Sequence, residues 1–162
     1  MSAVGFCVRA GAVGDLAAVV ALERAVAEAP HWGEAEYGAI VAVQDGGVRR
    51  CLLVAEVEGR LVGFAVGKII GAGVDGLAEL ESVVVDGALR RMGVGKELCG
   101  AVVGWSRGQG AAAVELEVRA ASAGAMALYA GLGFVEVGRR RAYYDAPKDD
   151  AVLMRLKLAE AK

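Results

Sequence analysis

The run Arg90-Arg91-Met92-Gly93-Val94-Gly95-Lys96 stands between a β-patterned segment and a helical one, and its residue types suit an anion. A helix N-terminus offers unpaired N–H groups and partial positive charge, glycines let a ligand approach the backbone, and Arg and Lys add charge. A phosphate or pyrophosphate is the natural guest; a glycine-rich turn with solvated basic residues fits the same spacing. A nucleotide-hydrolysing P-loop does not, because its first glycine would fall on Arg90 and its lysine is followed here by Glu97. Further on, Glu115 and Glu117 alternate with Val114, Leu116 and Val118, which puts both acids on one face of a strand. Such a pair can take a proton if burial or the neighbouring charge raises its proton affinity. Solvated glutamates on a half-exposed strand are the alternative. Glu79 and Glu81 repeat the arrangement one strand earlier. Tyr129, three residues after Met126 in a helical run, carries a phenol that stays protonated near neutrality and can donate to a leaving group. It fits a core tyrosine equally well.

The elements that position these groups follow from hydrophobic period. Phe6 and Val8 open with a strand, and Asp15 is placed to cap a helix whose Leu16, Val19, Leu22 and Val26 share one face, ended by Pro30. A shorter amphipathic piece carries Tyr37, Ile40 and Val41 and stops at Gly46 and Gly47. Cys51 to Val57 and Arg60 to Ile70 are β-rich runs joined at Glu58-Gly59, the pattern of a tight hairpin. Gly71, Gly73 and Gly76 spell GxGxxG, yet Leu77 to Val85 reads as another strand, whereas a dinucleotide fingerprint needs a helix there. Val94, Leu98, Ala101, Val102 and Trp105 recur at helical spacing. Ala113 to Val118 returns to alternation, Ser122 to Leu132 is helical, and Phe134 to Tyr144 with Ala151 to Leu158 closes as an antiparallel pair around Pro147. With no linker or repeat, residues 1–162 read as one domain of mixed α/β (α+β) class.

Composition narrows the function classes. The chain has 162 residues, 56% hydrophobic and 23% charged, enough for a core without metal or disulfide staples. The 3 cysteines, Cys7, Cys51 and Cys99, lie far apart in apolar runs and read as buried, reduced thiols; with His31 as the only histidine, no metal site is expected. A formal net charge of −2 argues against nucleic-acid binding through bulk charge. No apolar stretch approaches the ~20 residues of a membrane span, and no export signal is visible, so the expected address is the cytoplasm. Oligomeric state is not encoded in any pattern here.

The segment Arg90-Arg91-Met92-Gly93-Val94-Gly95 resembles the pyrophosphate loop, Arg/Gln-x-x-Gly-x-Gly/Ala, of the GNAT acyl-CoA transferase superfamily. Leu116-Glu117-Val118-Arg119-Ala120, Ala127-Leu128-Tyr129, Leu132-Gly133-Phe134, Arg140-Arg141-Ala142-Tyr143-Tyr144 and Asp150-Ala151-Val152-Leu153-Met154 are similar to the ribosomal-protein-alanine N-acetyltransferase (RimI) branch. Ala78 to Leu156 carries the likeness.

That resemblance implies a single-domain GNAT acyl-CoA N-acyltransferase fold, a mixed, mostly antiparallel sheet flanked by helices. It further implies transfer from acetyl-CoA directly to an amine. Val83, Val84 and Val85 would offer backbone groups to the pantetheine arm and thioester, with N–H groups around Val84 and Val85 facing the developing oxyanion. Arg91, Met92, Gly93, Val94, Gly95 and Lys96 would cradle the pyrophosphate. Glu117 aligns with the general base, Glu81 stands in reserve, and Tyr129 aligns with the general acid. Ser122 occupies the position of an asparagine that holds the cofactor arm. Trp32 falls in a counterpart of the substrate-side loop, and Tyr143 and Tyr144 would grip the acceptor's first residues. The implied acceptor is a protein N-terminus, in the most specific version the N-terminal alanine of the eighteenth small-subunit ribosomal protein. Another N-terminus, a small-molecule amine, or a non-catalytic acyl-CoA-binding module remain open.

Overall fold

A computed structural model describes residues 5–26, 32–42, 48–71, 76–89, 92–145 and 148–158. In chain order these form β1 (Cys7–Ala10), α1 (Leu16–Ala25), α2 (Glu34–Val41), β2 (Val48–Val57), β3 (Arg60–Ile70), β4 (Leu77–Val85), α3 (Val94–Gly108), β5 (Ala113–Arg119), α4 (Ala123–Gly131), β6 (Val135–Asp145) and β7 (Lys148–Lys157). The strands make one mixed sheet in the order β1-β2-β3-β4-β5-β7-β6. Every neighbouring pair is antiparallel except β4 and β5, which run parallel. The β2–β3 hairpin turns at Glu58 and Gly59, both with positive φ (49° and 79°), the left-handed pair that a tight two-residue hairpin requires.

Two apolar layers hold the sheet. On one face, Val94, Leu98 and Val102 of α3 pack with Ala65, Ile69, Leu116 and Met154, and α4 adds Met126, Leu128 and Tyr129. On the other, Leu16, Val19 and Val20 of α1 and Tyr37 and Ile40 of α2 cover Val54, Phe64, Val66 and Val84. The helical face predicted for Val94 to Trp105 is the buried one. Close approach of α3 to the sheet depends on Gly67, where an added Cβ would stand 2.8 Å from Val102 Cγ1.

Three expectations need correction. The Asp15 carboxylate does not cap α1: it accepts the Ala12 N–H (2.8 Å) and binds Arg9 Nη1 and Nη2 (2.8 Å each), so it ties β1 to the turn before the helix. Cys7 is exposed rather than buried, because β1 is an edge strand, while Cys51 is half-buried and Cys99 buried. The closing hairpin begins its return earlier than the apolar pattern suggested, since Lys148, Asp149 and Asp150 already belong to β7. Gly73, Gly46, Gly47, Pro30, His31 and Pro147 lie outside the described residues; β4 follows the GxGxxG segment as expected.

Candidate active site

The parallel contact between β4 and β5 is short. Leu77, Ala78 and Glu79 pair with Ala113, Val114 and Glu115, and beyond Glu79 the two strands part. The fork opens a cleft of about 450 Å³ between Leu80–Val84 on one side and Leu116–Arg119 on the other, within the size range of small-ligand sites.

One wall of the fork is backbone. Asp86 N–H donates to Val62 O (2.8 Å), so in the antiparallel register with β3 it is Val84, opposite Phe64, that turns its amide toward β3. Val83 and Val85 then direct theirs to the edge that β5 has left. Of the donors expected around Val84 and Val85, Val84 therefore turns away from the open edge although it lines the cleft, whereas Val83 and, just beyond the lining residues, Val85 face that edge. The sequence hid one further detail. An extra residue at Glu81, opposite the Val66/Gly67 step, inserts a bulge into β4. Ala78 and Leu80 pack in the α3 layer before it, and Val83 and Val85 in the same layer after it, although their numbers differ in parity.

From β4 the chain passes to the start of α3. Gly93 precedes Val94 with φ 86°, a left-handed conformation natural to glycine, and its carbonyl accepts the Glu97 N–H (3.0 Å). Met92 is exposed, Val94 is buried, and Lys96 is exposed. Gly95 sits where an added Cβ would touch Leu128 of α4 (3.5 Å) and Val85 (3.7 Å), so the helix start, α4 and the end of β4 converge. Arg90 and Arg91 lie outside the described residues. This convergence of a helix N-terminus, a left-handed glycine and an unpaired strand edge fits an extended, diphosphate-bearing thioester such as acetyl-CoA.

Tyr129 of α4 lines the cleft from the α3 side, edge-on to Phe134 with ring centroids 6.0 Å apart. Burial, and secondarily the neighbouring Cys99, hold its phenol well above the ordinary tyrosine range, so it is a proton donor throughout the neutral region. Burial also pushes the Cys99 thiol up to about 12. Ser122 stands on the cleft wall just before α4; its N–H donates to Arg119 O (2.9 Å), and its hydroxyl makes no helix cap.

On the opposite mouth the groups are charged. Glu117 is held by Arg140 of β6 (Nη2 to Oε1, 3.6 Å). Glu115, its expected partner acid, is committed to Arg155 of β7 (Nε to Oε2, 2.6 Å). Glu81 lies between Arg50 Nε (3.2 Å) and Lys68 Nζ (3.9 Å), which makes it a poorer reserve base than its position suggested. Glu79, at the fork's vertex, is the acid the sequence reading left aside. Its carboxyl is held above its ordinary value by burial first and then by Glu81, with Glu117 adding to the rise and Lys68 and Arg50 opposing it. Tyr144 lines the cleft, with Arg119 Cζ 4.1 Å from its ring centroid, and Tyr143 meets it edge-on at 5.2 Å.

Trp32 does not line the cleft. It packs on Tyr37 at 5.6 Å in the α1–α2 layer, and Val26, at the end of α1, reaches the cleft instead. Sequence reading missed Val26 and Arg119 as cleft-lining groups and Arg140 as the partner of Glu117, and only the alternation of β5 pointed to Arg119. Among the described residues no cluster of His, Cys, Asp and Glu could hold a metal ion, and no helix is long and apolar enough to cross a membrane.

Comparison with known proteins agrees with this geometry. An uncharacterized protein of Mycobacterium leprae (strain TN) is 37% identical over 105 residues, 65% of this chain but only 28% of that longer protein. The ribosomal protein bS18-alanine N-acetyltransferase of Escherichia coli (strain K12) is 35% identical over 104 residues, 63% of this chain and 68% of the relative. The crystal structure of the ribosomal-protein-S18-alanine N-acetyltransferase from Escherichia coli superposes with a TM-score of 0.78 at 28% identity, covering 98% of this chain and 97% of that one. Residues 19–134 match the model of the acetyltransferase (GNAT) family, a stretch running from α1 to the residue before β6 and so taking in both walls of the fork. On its fold, its cleft and this match, the chain belongs to the GNAT acetyltransferase family.

Proposed function

We propose that this chain is an acetyl-CoA-dependent N-acetyltransferase that passes an acetyl group directly to the α-amino group of a protein N-terminus, with the N-terminal alanine of ribosomal protein bS18 as acceptor. The forked cleft carries the reading, since it puts an unpaired backbone edge and a protonated phenol on one side and a carboxylate on the other. Acetyl-CoA, when bound, supplies the thioester. Val83 and Val85 would hold its arm by backbone hydrogen bonds, Gly93 to Lys96, with Arg91 and Met92, would receive the diphosphate, and Ser122, just before α4, would meet the arm.

Glu117 takes a proton from the incoming ammonium, directly or through one water, because an α-amino group of pKa about 8 arrives mostly protonated. As the amine nitrogen bonds to the acetyl carbon and the C–S bond breaks, Tyr129 would give its proton to the departing thiolate and regain one from the nitrogen, which sheds its second proton on becoming an amide, while Val85 N–H would donate toward the carbonyl oxygen. Val26, Tyr143 and Tyr144 border the space left for the acceptor's first residues. Both substrates meet in one cleft, so proximity supplies much of the rate without a covalent enzyme intermediate. The similarity to the bS18-alanine enzymes supports the acceptor, and the reading carries a cytoplasmic address with neither nucleic acid nor membrane as partner.

The test is thiol release from acetyl-CoA in the presence of an alanine-led bS18 peptide, other N-terminal peptides and a panel of small amines. Preference for the alanine-led peptide is expected. Turnover only with small amines would reassign the acceptor, and cofactor binding without thiol release would reduce the chain to an acyl-CoA-binding module.

A further inference from the structure

The dipeptide Asp149-Asp150 at the start of β7 joins the two sides of the cleft. Ala120 N–H donates to Asp150 O and Ala121 N–H to Asp149 Oδ2 (3.0 Å each), which fixes the turn leading to Ser122 on the cofactor side. The Asp150 side chain points its bonds the other way, into β6. There the β6–β7 register slips: Arg140 pairs with Ala151, then Tyr144 with Asp149, so Arg141, Ala142 and Tyr143 bulge out opposite the single residue Asp150. Ala142 adopts φ 50°, an uncommon conformation for a residue with a side chain, and its N–H is received by Asp150 Oδ1 (2.9 Å). Asp150 Oδ2 also faces Arg139 Nη1 (3.6 Å).

The bulge has consequences at the cleft. Its flanks present Arg140 to Glu117 and to the Tyr143 ring (5.4 Å), and Tyr144 to the Arg119 guanidinium. With Oε1 of Glu117 engaged by Arg140, Oε2 has no hydrogen bond or ion pair among the described residues. Without the Asp150 carboxylate the Ala142 amide has only solvent as acceptor, and residues 141–143 lose the bond that ties the bulge to β7 between the Arg140–Ala151 and Tyr144–Asp149 pairs, which loosens the aim of the flanking side chains.

Resting on the acetyltransferase reading, we propose that Asp150 is a positioning residue for the acceptor side of the cleft, acting through the β6 bulge that aims Arg140 and Tyr144. Its side chain makes no bond to the cofactor-side turn, and therefore its loss separates the two substrates kinetically. In Asp150→Ala the KM for the acceptor peptide rises about two- to tenfold, the net weight of one solvent-exposed hydrogen bond, while the KM for acetyl-CoA stays within about twofold. Asp150→Asn keeps a carbonyl oxygen for Ala142 N–H and restores most of the acceptor KM. Amide exchange at Ala142 supplies a reading apart from catalysis, slow in the unsubstituted protein and in Asp150→Asn, fast in Asp150→Ala. An unmoved acceptor KM in Asp150→Ala, or an equal rise in both KM values, overturns the proposal while leaving the acetyltransferase reading intact. If the unsubstituted protein transfers acetyl to no amine, the acetyltransferase reading falls and takes this one with it.

Discussion

The two faces of the fork are built from different materials. On the α3 and α4 side the elements proposed for recognition are backbone: the β4 edge at Val83 and Val85, the left-handed Gly93 and the first turn of α3. On the other side they are charged or aromatic side chains, with Glu117, Glu81 and Glu115 each engaged by arginine or lysine and Tyr144 under Arg119. A backbone-built face recognises what is invariant in a ligand, such as an arm and a diphosphate. A side-chain face can be retuned residue by residue, as acceptor choice requires.

Substitutions on the two faces separate these roles. The largest effect belongs to Glu117→Gln, which removes the proposed proton acceptor on the charged face. Steady-state assays should show kcat lower by about 10²–10⁴-fold, the usual weight of general-base catalysis, with coenzyme A affinity unchanged. Full activity in this variant would move the base elsewhere. On the backbone face, Gly93→Val forces a β-branched residue to φ 86°, at a cost of about 1–3 kcal/mol. Calorimetric titration with coenzyme A should show the affinity falling about ten- to a hundredfold, and an unaltered Kd would break the contrast between the faces.

Much of the backbone face was legible because it is local. A strand, a glycine turn and a helix follow one another in residues 77–108, and each declares itself by period or by glycine. The acceptor face was legible only in its residue types. That Glu115 is spent on Arg155, that Arg140 reaches Glu117 and that Asp150 receives Ala142 N–H depend on strand register between distant segments, which the alternation of β6 and β7 does not set. The β4 bulge is easily passed over: Ala78 and Leu80 alternate with Glu79 and Glu81, Glu81-Ser82 breaks the period, and three consecutive valines at 83–85 then hide its phase, while the extra residue at Glu81 reverses which parity meets α3.

Tyr129→Phe probes the boundary between the faces more gently. The ring keeps its contact with Phe134, so the melting temperature should hold, while kcat drops about tenfold for the lost donor. Because burial keeps this phenol protonated through neutral pH, its contribution should show no pH dependence between 6 and about 9. The smallest effect is at the vertex. The folded state raises the Glu79 carboxyl above its ordinary value, so it holds that proton more tightly than the unfolded chain does and is penalised once the group ionises. Glu79→Gln should therefore stabilise the protein by a few tenths of a kcal/mol in melts above neutrality. The gain should vanish as pH falls through the carboxylate range, where the carboxyl is protonated in folded and unfolded states alike, and it is small because the Glu79 side chain is exposed to solvent.

The parting of β4 from β5 after three residue pairs gives this sheet a seam in its middle, where most sheets have unpaired edges only at their margins. A bound pantetheine would occupy that seam as a surrogate strand, bridging β1 to β4 with β5 to β7. Coenzyme is in that sense a building element as well as a reactant, since across the seam the two halves of the sheet are joined by three β4–β5 residue pairs and by the apolar layer beneath them.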